Sequence, residues 1–465
     1  MKKFAFILVL SCISLLNIGQ IQLENTTLIV ESVAQDLLLP WDMVWGPDNT
    51  IWFSERVGNI KRFDLETGIV DLIYYESACD PYEEENSGMH GFNLHPQFPT
   101  VPYMYAHYPV DLFNSRIVRY VYDVNTNSIT GSSIILQLGA NASHNGSRII
   151  WDNDESFFFC IGDAFTSLQY PQDPDHLNGK ILRVGMNGEI PSDNPNPASY
   201  VYTLGHRNPQ GLVKASNGIL YSSEHGTFVD DEINIIEPSR NYGWPYSIGP
   251  CDAFDAEETE FCNAFNVREP IWWWNPTQAC SGMDYYDHEA IPEWRNSLIV
   301  GFLKEAQFKV LNLSEDGLSV LSESSFLPTE LGRVRDVLVS SDGSVYVCTS
   351  NREQLGVPYV TADDDQIWRI YNPDYVVSVE EEAVKAELNL FPNPADTYVN
   401  LLSPSHGLCS IEFFDGAGRV VMSEHYQNNG YLQLDTQSLE SGMYIVRFTS
   451  SEGNVNTEHL FVNHR

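Results

Sequence analysis

The 465-residue chain is too long for one small domain, and its 43 % hydrophobic residues can bury a substantial core. A formal net charge of -38 sets the surface against phosphate backbones and anionic lipid, which argues against nucleic acid as a partner. The same acidity is what a solvated, salt-tolerant surface has, and it is compatible with cation binding at a few carboxylates.

The N-terminus reads as a secretory signal over residues 1–20. Lys2 and Lys3 form the positive region, and Phe4 to Leu16 form an apolar stretch too short to span a bilayer. Cleavage is expected near Gly19 or Gln20. Cys12 follows Val9-Leu10-Ser11, an imperfect lipoprotein box, so lipid anchoring is an alternative.

From residue 25 onward one local pattern recurs. A turn containing Asp, Asn or Gly precedes an alternating aromatic strand that ends on a polar residue or Gly. It stands at Pro47 to Glu55, at Asp154 to Asp163, at Asn217 to Glu224 and at Asp342 to Thr349. The copies lie one or two units of about 50–60 residues apart, and Tyr103-Met104-Tyr105 and Ser297 to Val300 fit the missing slots. About six modules of antiparallel strands between residues 25 and 372 predict an all-β, six-bladed β-propeller of four-stranded sheets. An array of β-sandwiches would have longer repeats. No long amphipathic helix is expected within this region.

Seven cysteines remain besides Cys12, an odd number that leaves at least one unpaired in an exported chain. Their spacing fits no zinc pattern. Cys251 and Cys262 bracket a short acidic loop and are assigned to a disulfide, whereas Cys160 and Cys348 fall in apolar strands and are read as buried thiols.

Four polar clusters fall on strand ends or loops of the propeller region, where such folds gather their ligand sites. In the first, Ser143 to Arg148, His144 sits among small polar residues and is suited to remove a hydroxyl proton. In the second, Asp163 ends the next strand and could fix the tautomer of His144. The third runs from Leu204 to Gly211 and on through Ser223 to Glu232. There Arg207 and Asn208 could hold a carboxylated or quinone ligand, and the carbonyls of a tight Gly226-Thr227 turn suit calcium. The fourth is Lys304 with Arg333 and Arg335. The two arginines alternate with Val334, share a strand face and favour an anionic ligand. Each cluster also has an ordinary reading: an exposed loop His, a turn Asp, or ion pairs with the many acidic side chains.

After residue 372 the composition shifts. Residues 373–387 read as an acidic linker and 388–465 as a small β-rich unit, an Ig-like β-sandwich.

Together the segments WGPDNTIWFSERVGNIKR (45–62), GMHGFNLHPQF (88–98), NGKILRVGMNGEIPSDNP (178–195), YTLGHRNPQGL (202–212), SEHGTFVDDEINIIEPSRNYGWP (223–245) and GRVRDVLVSSDG (332–343) resemble the soluble pyrroloquinoline quinone (PQQ)-dependent glucose/sorbosone (aldose sugar) dehydrogenases. The resemblance covers roughly residues 35 to 372. It implies a quinoprotein that oxidises the anomeric hydroxyl of an aldose to a lactone by hydride transfer to calcium-bound PQQ. In that frame His144 is the general base and Asp163 its partner. Asn86, Arg207, Asn208, Lys304, Arg333 and Arg335 contact the cofactor, Gly226 and Thr227 hold calcium, and Trp274 walls the substrate site. The chain departs from the family in having Asn86 for a glutamine, Ser143 for an aspartate and Thr227 for a proline, which leans towards a broad aldose enzyme. No haem motif is present, so a separate electron acceptor is implied, and a homodimer is left open.

The tail resembles the C-terminal sorting domain of the type IX (Por) secretion system. The resemblance is carried by Phe391-Pro392-Asn393-Pro394, by the turn containing Asp415, Gly416, Gly418 and Arg419, and by Gly442 to Phe448. It implies passage to the periplasm and then to the outer-membrane surface or beyond. A calcium-dependent propeller lactonase and a non-catalytic glycan-binding propeller are the rival readings. The first would not need Lys304, Arg333 and Arg335 together, and the second would tolerate loss of His144.

Overall fold

The computed structural model describes residues 19–464 apart from 48, 80–87, 142, 166, 252–255, 327–330, 354–362, 376–388, 417 and 451–454. The expected signal segment up to residue 18, Asn86, and residues 376–387 of the expected linker lie outside the described residues. The chain divides into two compact units, residues 1–375 and 376–465.

Among the described residues the first unit contains six antiparallel sheets. Sheet 1 is formed by Pro40–Trp45, Thr50–Glu55, Asn59–Asp64 and Ile69–Tyr75. Sheets 2 to 5 each take their next four strands in chain order, beginning at Phe92–Leu94, Ile149–Asn153, Pro209–Lys214 and Cys280–Tyr286. Sheet 6 joins both ends of the unit. Val334–Val339, Val345–Thr349 and Ile367–Tyr371 pair in order, and Thr27–Ala34 then adds beside Ile367–Tyr371 with Gly19–Gln22 at its edge. The first strands of the sheets touch in cyclic order, the sixth against the first, and so line a common axis.

Each recurring turn-and-aromatic-strand pattern is the second strand of its sheet. Thr50–Glu55, Ser156–Ile161, Leu220–Glu224, Ser297–Phe302 and Val345–Thr349 are buried at every residue. A strand covered on both faces carries a near-continuous apolar run, which is why these five were legible. The outermost strands, such as Val320–Phe326, are largely exposed and polar and gave no such signal.

The inner strands are tied across sheet boundaries by carboxylates. Asp336 Oδ2 accepts from the Met43 amide at 2.7 Å, Asp42 Oδ2 from the Phe92 amide at 2.9 Å, and Asp284 Oδ2 from the Val339 amide at 2.7 Å. Arg148 joins two of them, pairing with Asp42 through Nη1 and with Asp336 through Nη2 at 2.9 Å.

The segment around the expected disulfide is not a plain loop. Ala256–Phe265 is an α-helix with Glu257 and Glu258 in its first turn, where carboxylates favour helix formation. The Cys251–Cys262 disulfide is present and pins this helix to the preceding chain. Cys160 and Cys348 are buried free thiols, as are Cys280 and Cys409.

In the second unit Tyr398–Phe414 pairs along its length with Val420–Asp435 on one side. On the other side it pairs with Asn389–Phe391 and then with Gly442–Thr449, which carries Val455–Val462. The core is Val399, Leu401, Ile411, Phe413, Val446, Phe448 and Leu460. Asn393 fastens the start of the unit to its last strand, donating to the His459 carbonyl at 2.8 Å and accepting from the Phe461 amide at 2.9 Å.

Candidate functional site

Residues that precede or begin inner strands, with His225 and Glu353 just beyond second strands, converge on a cavity of about 310 Å³ lined by Ser143, His144, Asn208, Gln210, His225, Arg333, Arg335 and Glu353. His144 has φ 58°, an uncommon left-handed conformation for a non-glycine residue. The backbone folds so tightly here that a Cβ on Gly162 would collide with the His144 carbonyl. That close approach explains the glycine just before Asp163.

Asp163 Oδ1 sits 2.8 Å from His144 Nδ1 and also accepts from the Phe165 amide at 2.9 Å. Its Oδ2 accepts from the Trp244 indole at 2.9 Å. The carboxylate is therefore held on both oxygens. It selects the tautomer with a proton on Nδ1, leaving Nε2 of His144 as the acceptor.

Asn208 Oδ1 accepts from the Gly146 amide at 3.2 Å and from Gln210 Nε2 at 3.1 Å. Burial pushes the His225 imidazole down to about 4. Asp231 opposes this, while Arg335, Arg207 and His144 add to it, so His225 is neutral at pH 7. Its Nε2 is buried and has no hydrogen-bond partner among the described residues.

Three guanidiniums meet at one carboxylate. Glu353 Oε1 lies 2.6 Å from Arg56, and Oε2 lies 2.9 Å from Arg333 and 2.6 Å from Arg335. Burial alone would raise the Glu353 carboxyl. Arg335, Arg56 and Arg333 together outweigh it and hold the group far below the usual range.

Beside His144 and Asp163 a second cavity of about 530 Å³ is lined by Asp163, Phe165, Ser167, Leu168, Arg207, Thr227, Phe228 and Trp244. Arg207 lies over the Trp244 ring at 5.4 Å and donates to the His225 carbonyl at 3.1 Å. Gly226 borders a small neighbouring pocket with Arg207 and Trp244, and its amide donates to Asp231 Oδ1 at 2.9 Å. Among the described residues no hydrogen bond ends on the carbonyl of Gly226 or Thr227.

His144, Asp163, Arg207, Asn208, Gly226, Thr227, Arg333 and Arg335 are thus gathered around adjoining cavities. Two expected residues are not. Lys304 is exposed and its ammonium donates to the Thr277 carbonyl at 2.9 Å; its neighbour Leu303 lines the first cavity instead. Trp274, expected at the substrate site, lines neither of these two cavities. Its indole is buried between sheets 4 and 5, edge-on to Phe302, and donates to Glu323 at 2.6 Å. Arg148, in the first polar cluster, belongs to the axial ion group.

Sequence reasoning singled out neither Arg56 nor Glu353. Arg56 stood in a quoted segment without a sign of its charge role, and nothing in the sequence near Glu353 marks it.

Geometry and fold define the class: a β-propeller with an oriented histidine–aspartate pair beside a cationic cavity. The chain belongs to the glucose/sorbosone dehydrogenase family, whose model matches residues 37–356, and residues 389–463 match the secretion system C-terminal sorting domain. It is 29 % identical to quinoprotein glucose dehydrogenase B of Acinetobacter calcoaceticus, over 68 % of this chain and 84 % of that protein. Aldose sugar dehydrogenase of Escherichia coli is 32 % identical over 45 % of this chain and 58 % of its own length. The PQQ-bound aldose sugar dehydrogenase of Streptomyces coelicolor superimposes with a TM-score of 0.64 at 28 % identity, covering 74 % of this chain and 98 % of that one.

Proposed function

We propose that the protein is an exported quinoprotein that oxidises the anomeric hydroxyl of an aldose to a lactone, on a six-bladed propeller spanning residues 25–372. The observation that carries this reading is the His144–Asp163 pair lying beside a cavity into which Arg333 and Arg335 project. The donor chemistry fits PQQ, which has three carboxylates. Arg333 and Arg335 would hold them, Arg207 and Asn208 would border the quinone, and the carbonyls of Gly226 and Thr227, which accept no hydrogen bond among the described residues, are hard oxygens suited to calcium. Lys304 would have to swing inward to join them, and Asn86 is assigned by resemblance alone.

When bound, calcium-held PQQ supplies a two-electron oxidant. This chain's part is proton management and positioning. His144 Nε2 takes the hydroxyl proton, and the electron pair left on that oxygen would form the C1 carbonyl as hydride leaves C1 for the bound oxidant. Asp163 stabilises the imidazolium and, fixed by Trp244 and the Phe165 amide, keeps the ring aimed. Phe165, Leu168, Phe228 and Trp244 offer apolar faces against which a sugar ring can lie, so substrate is placed beside the base.

The tail, read as a cleavable Ig-like type IX sorting domain, directs the chain through the periplasm to the outer-membrane surface or beyond. A separate electron acceptor would reoxidise the enzyme there.

The deciding experiment is dye-linked aldose oxidation by the purified protein with calcium, before and after PQQ is added. Activity that needs both and is lost in His144→Ala is expected. No PQQ binding, and no activity on any aldose, would remove the proposal.

A further inference from the structure

Three buried like charges do not stay together without a counter-ion. Arg56 is 1 % exposed and Arg335 5 % exposed, and Arg333 is half-buried beside them. One carboxylate, Glu353, meets all three guanidiniums within 2.9 Å. Ser350 Oγ donates to Glu353 Oε2 at 3.0 Å and helps hold it in place. Glu353 also lines the cavity, so its charge faces whatever enters. We propose that Glu353 is a built-in competitor: an internal carboxylate that occupies the arginine donors until an anionic ligand takes them over, and that sets how tightly such a ligand is held.

This rests on the reading of the cavity as the seat of the PQQ carboxylates. The physical argument is a balance of charge. Three arginines and Glu353 present a net charge of about +2 to a ligand, whereas the arginines alone would present about +3. Glu353 lowers the attraction for a trianion and keeps the empty site from unfolding. The same residue therefore trades ligand affinity for stability of the free protein.

The test measures equilibrium binding in the full chain by fluorescence titration, with PQQ and with citrate as a redox-inert tricarboxylate. It compares wild type, Glu353→Gln, Ser350→Ala and Arg335→Ala. Glu353→Gln is expected to bind both anions about tenfold tighter at low salt, with the gain shrinking as salt rises. Its melting temperature without ligand should fall, and its rise on adding ligand should exceed that of wild type. Ser350→Ala loosens the clamp without removing the charge and should tighten binding by a smaller factor. If Glu353→Gln does not fold, Ser350→Ala decides. Unchanged or weaker binding in the variants, with wild type binding and Arg335→Ala losing it, overturns the competitor role alone. Equal binding by wild type and Arg335→Ala, or none by wild type, overturns the cofactor-site reading beneath it.

Discussion

At the scale of single residues the site depends on how Asp163 is held. Its Oδ1 is taken up by His144 and the Phe165 amide and its Oδ2 by the Trp244 indole, so it acts as a positioning residue. Asp163→Asn removes the acceptor that fixes the Nδ1 proton. We expect kcat to fall by about 10²-fold or more while KM and the PQQ dissociation constant hold. A merely structural role would move the binding constant as well, and titration beside steady-state kinetics separates the two. A second residue reports on pH. Burial pushes the Asp284 carboxyl up to about 7, against the pull of its bonds to the Val339 and Tyr285 amides. In the unfolded chain this group ionises near 4, so between about 4 and 7 the folded state binds the extra proton. Its contribution must then weaken as pH rises through that window and level off above 7. Asp284→Asn, which stays neutral in both states, should flatten the fall in the denaturation midpoint between pH 5 and pH 8. An unaltered slope would assign the pH dependence elsewhere.

At the scale of elements, what holds neighbouring sheets together is not apolar packing alone. Arg148 bridges Asp42 on sheet 1 and Asp336 on sheet 6, and all three are buried. Arg148→Ala would strand two carboxylates, and the loss should be about 3–5 kcal/mol, read as a lower urea midpoint. Arg148→Met with Asp42→Asn and Asp336→Asn should recover much of it, because the cost lies in unpaired charge. None of this was legible in the sequence, where Arg148 fell in the first polar cluster and neither Asp42 nor Asp336 was singled out. The second strands were legible because full burial imposes aromatic and β-branched runs after a turn. The His144, Asp163 and Arg207-Asn208 positions were legible because motifs keep spacing along the chain. Glu353 and Arg56 were not, because they meet from residues 297 positions apart and only folding brings their charges together. Trp274 was assigned through the resemblance alone, and along Trp272–Trp274 only this third ring is buried.

At the scale of the molecule, the way the first unit closes predicts an asymmetry between its ends. Thr27–Ala34 alternates half-buried and buried residues and lies between Gly19–Gln22 and Ile367–Tyr371. Leu28 and Val30 are fully buried in the same cluster as Val345, Val347 and Ile370. The last sheet is thus completed by the first described part of the chain, and the ring of inner strands depends on it. Deleting residues 19–35 would expose that cluster and leave Ile367–Tyr371 as an open edge, a template for aggregation. The second unit has its own apolar core and its own sheet. A chain ending at Tyr375 should therefore melt at the temperature of the full chain's first transition and bind PQQ with the same affinity, while losing export. The chain lacking residues 19–35 should melt markedly lower or aggregate, with cofactor binding lost. Calorimetry on both truncations separates these outcomes. A drop in the first transition on removing 376–465 would mean that the tail stabilises the catalytic unit as well as addressing it.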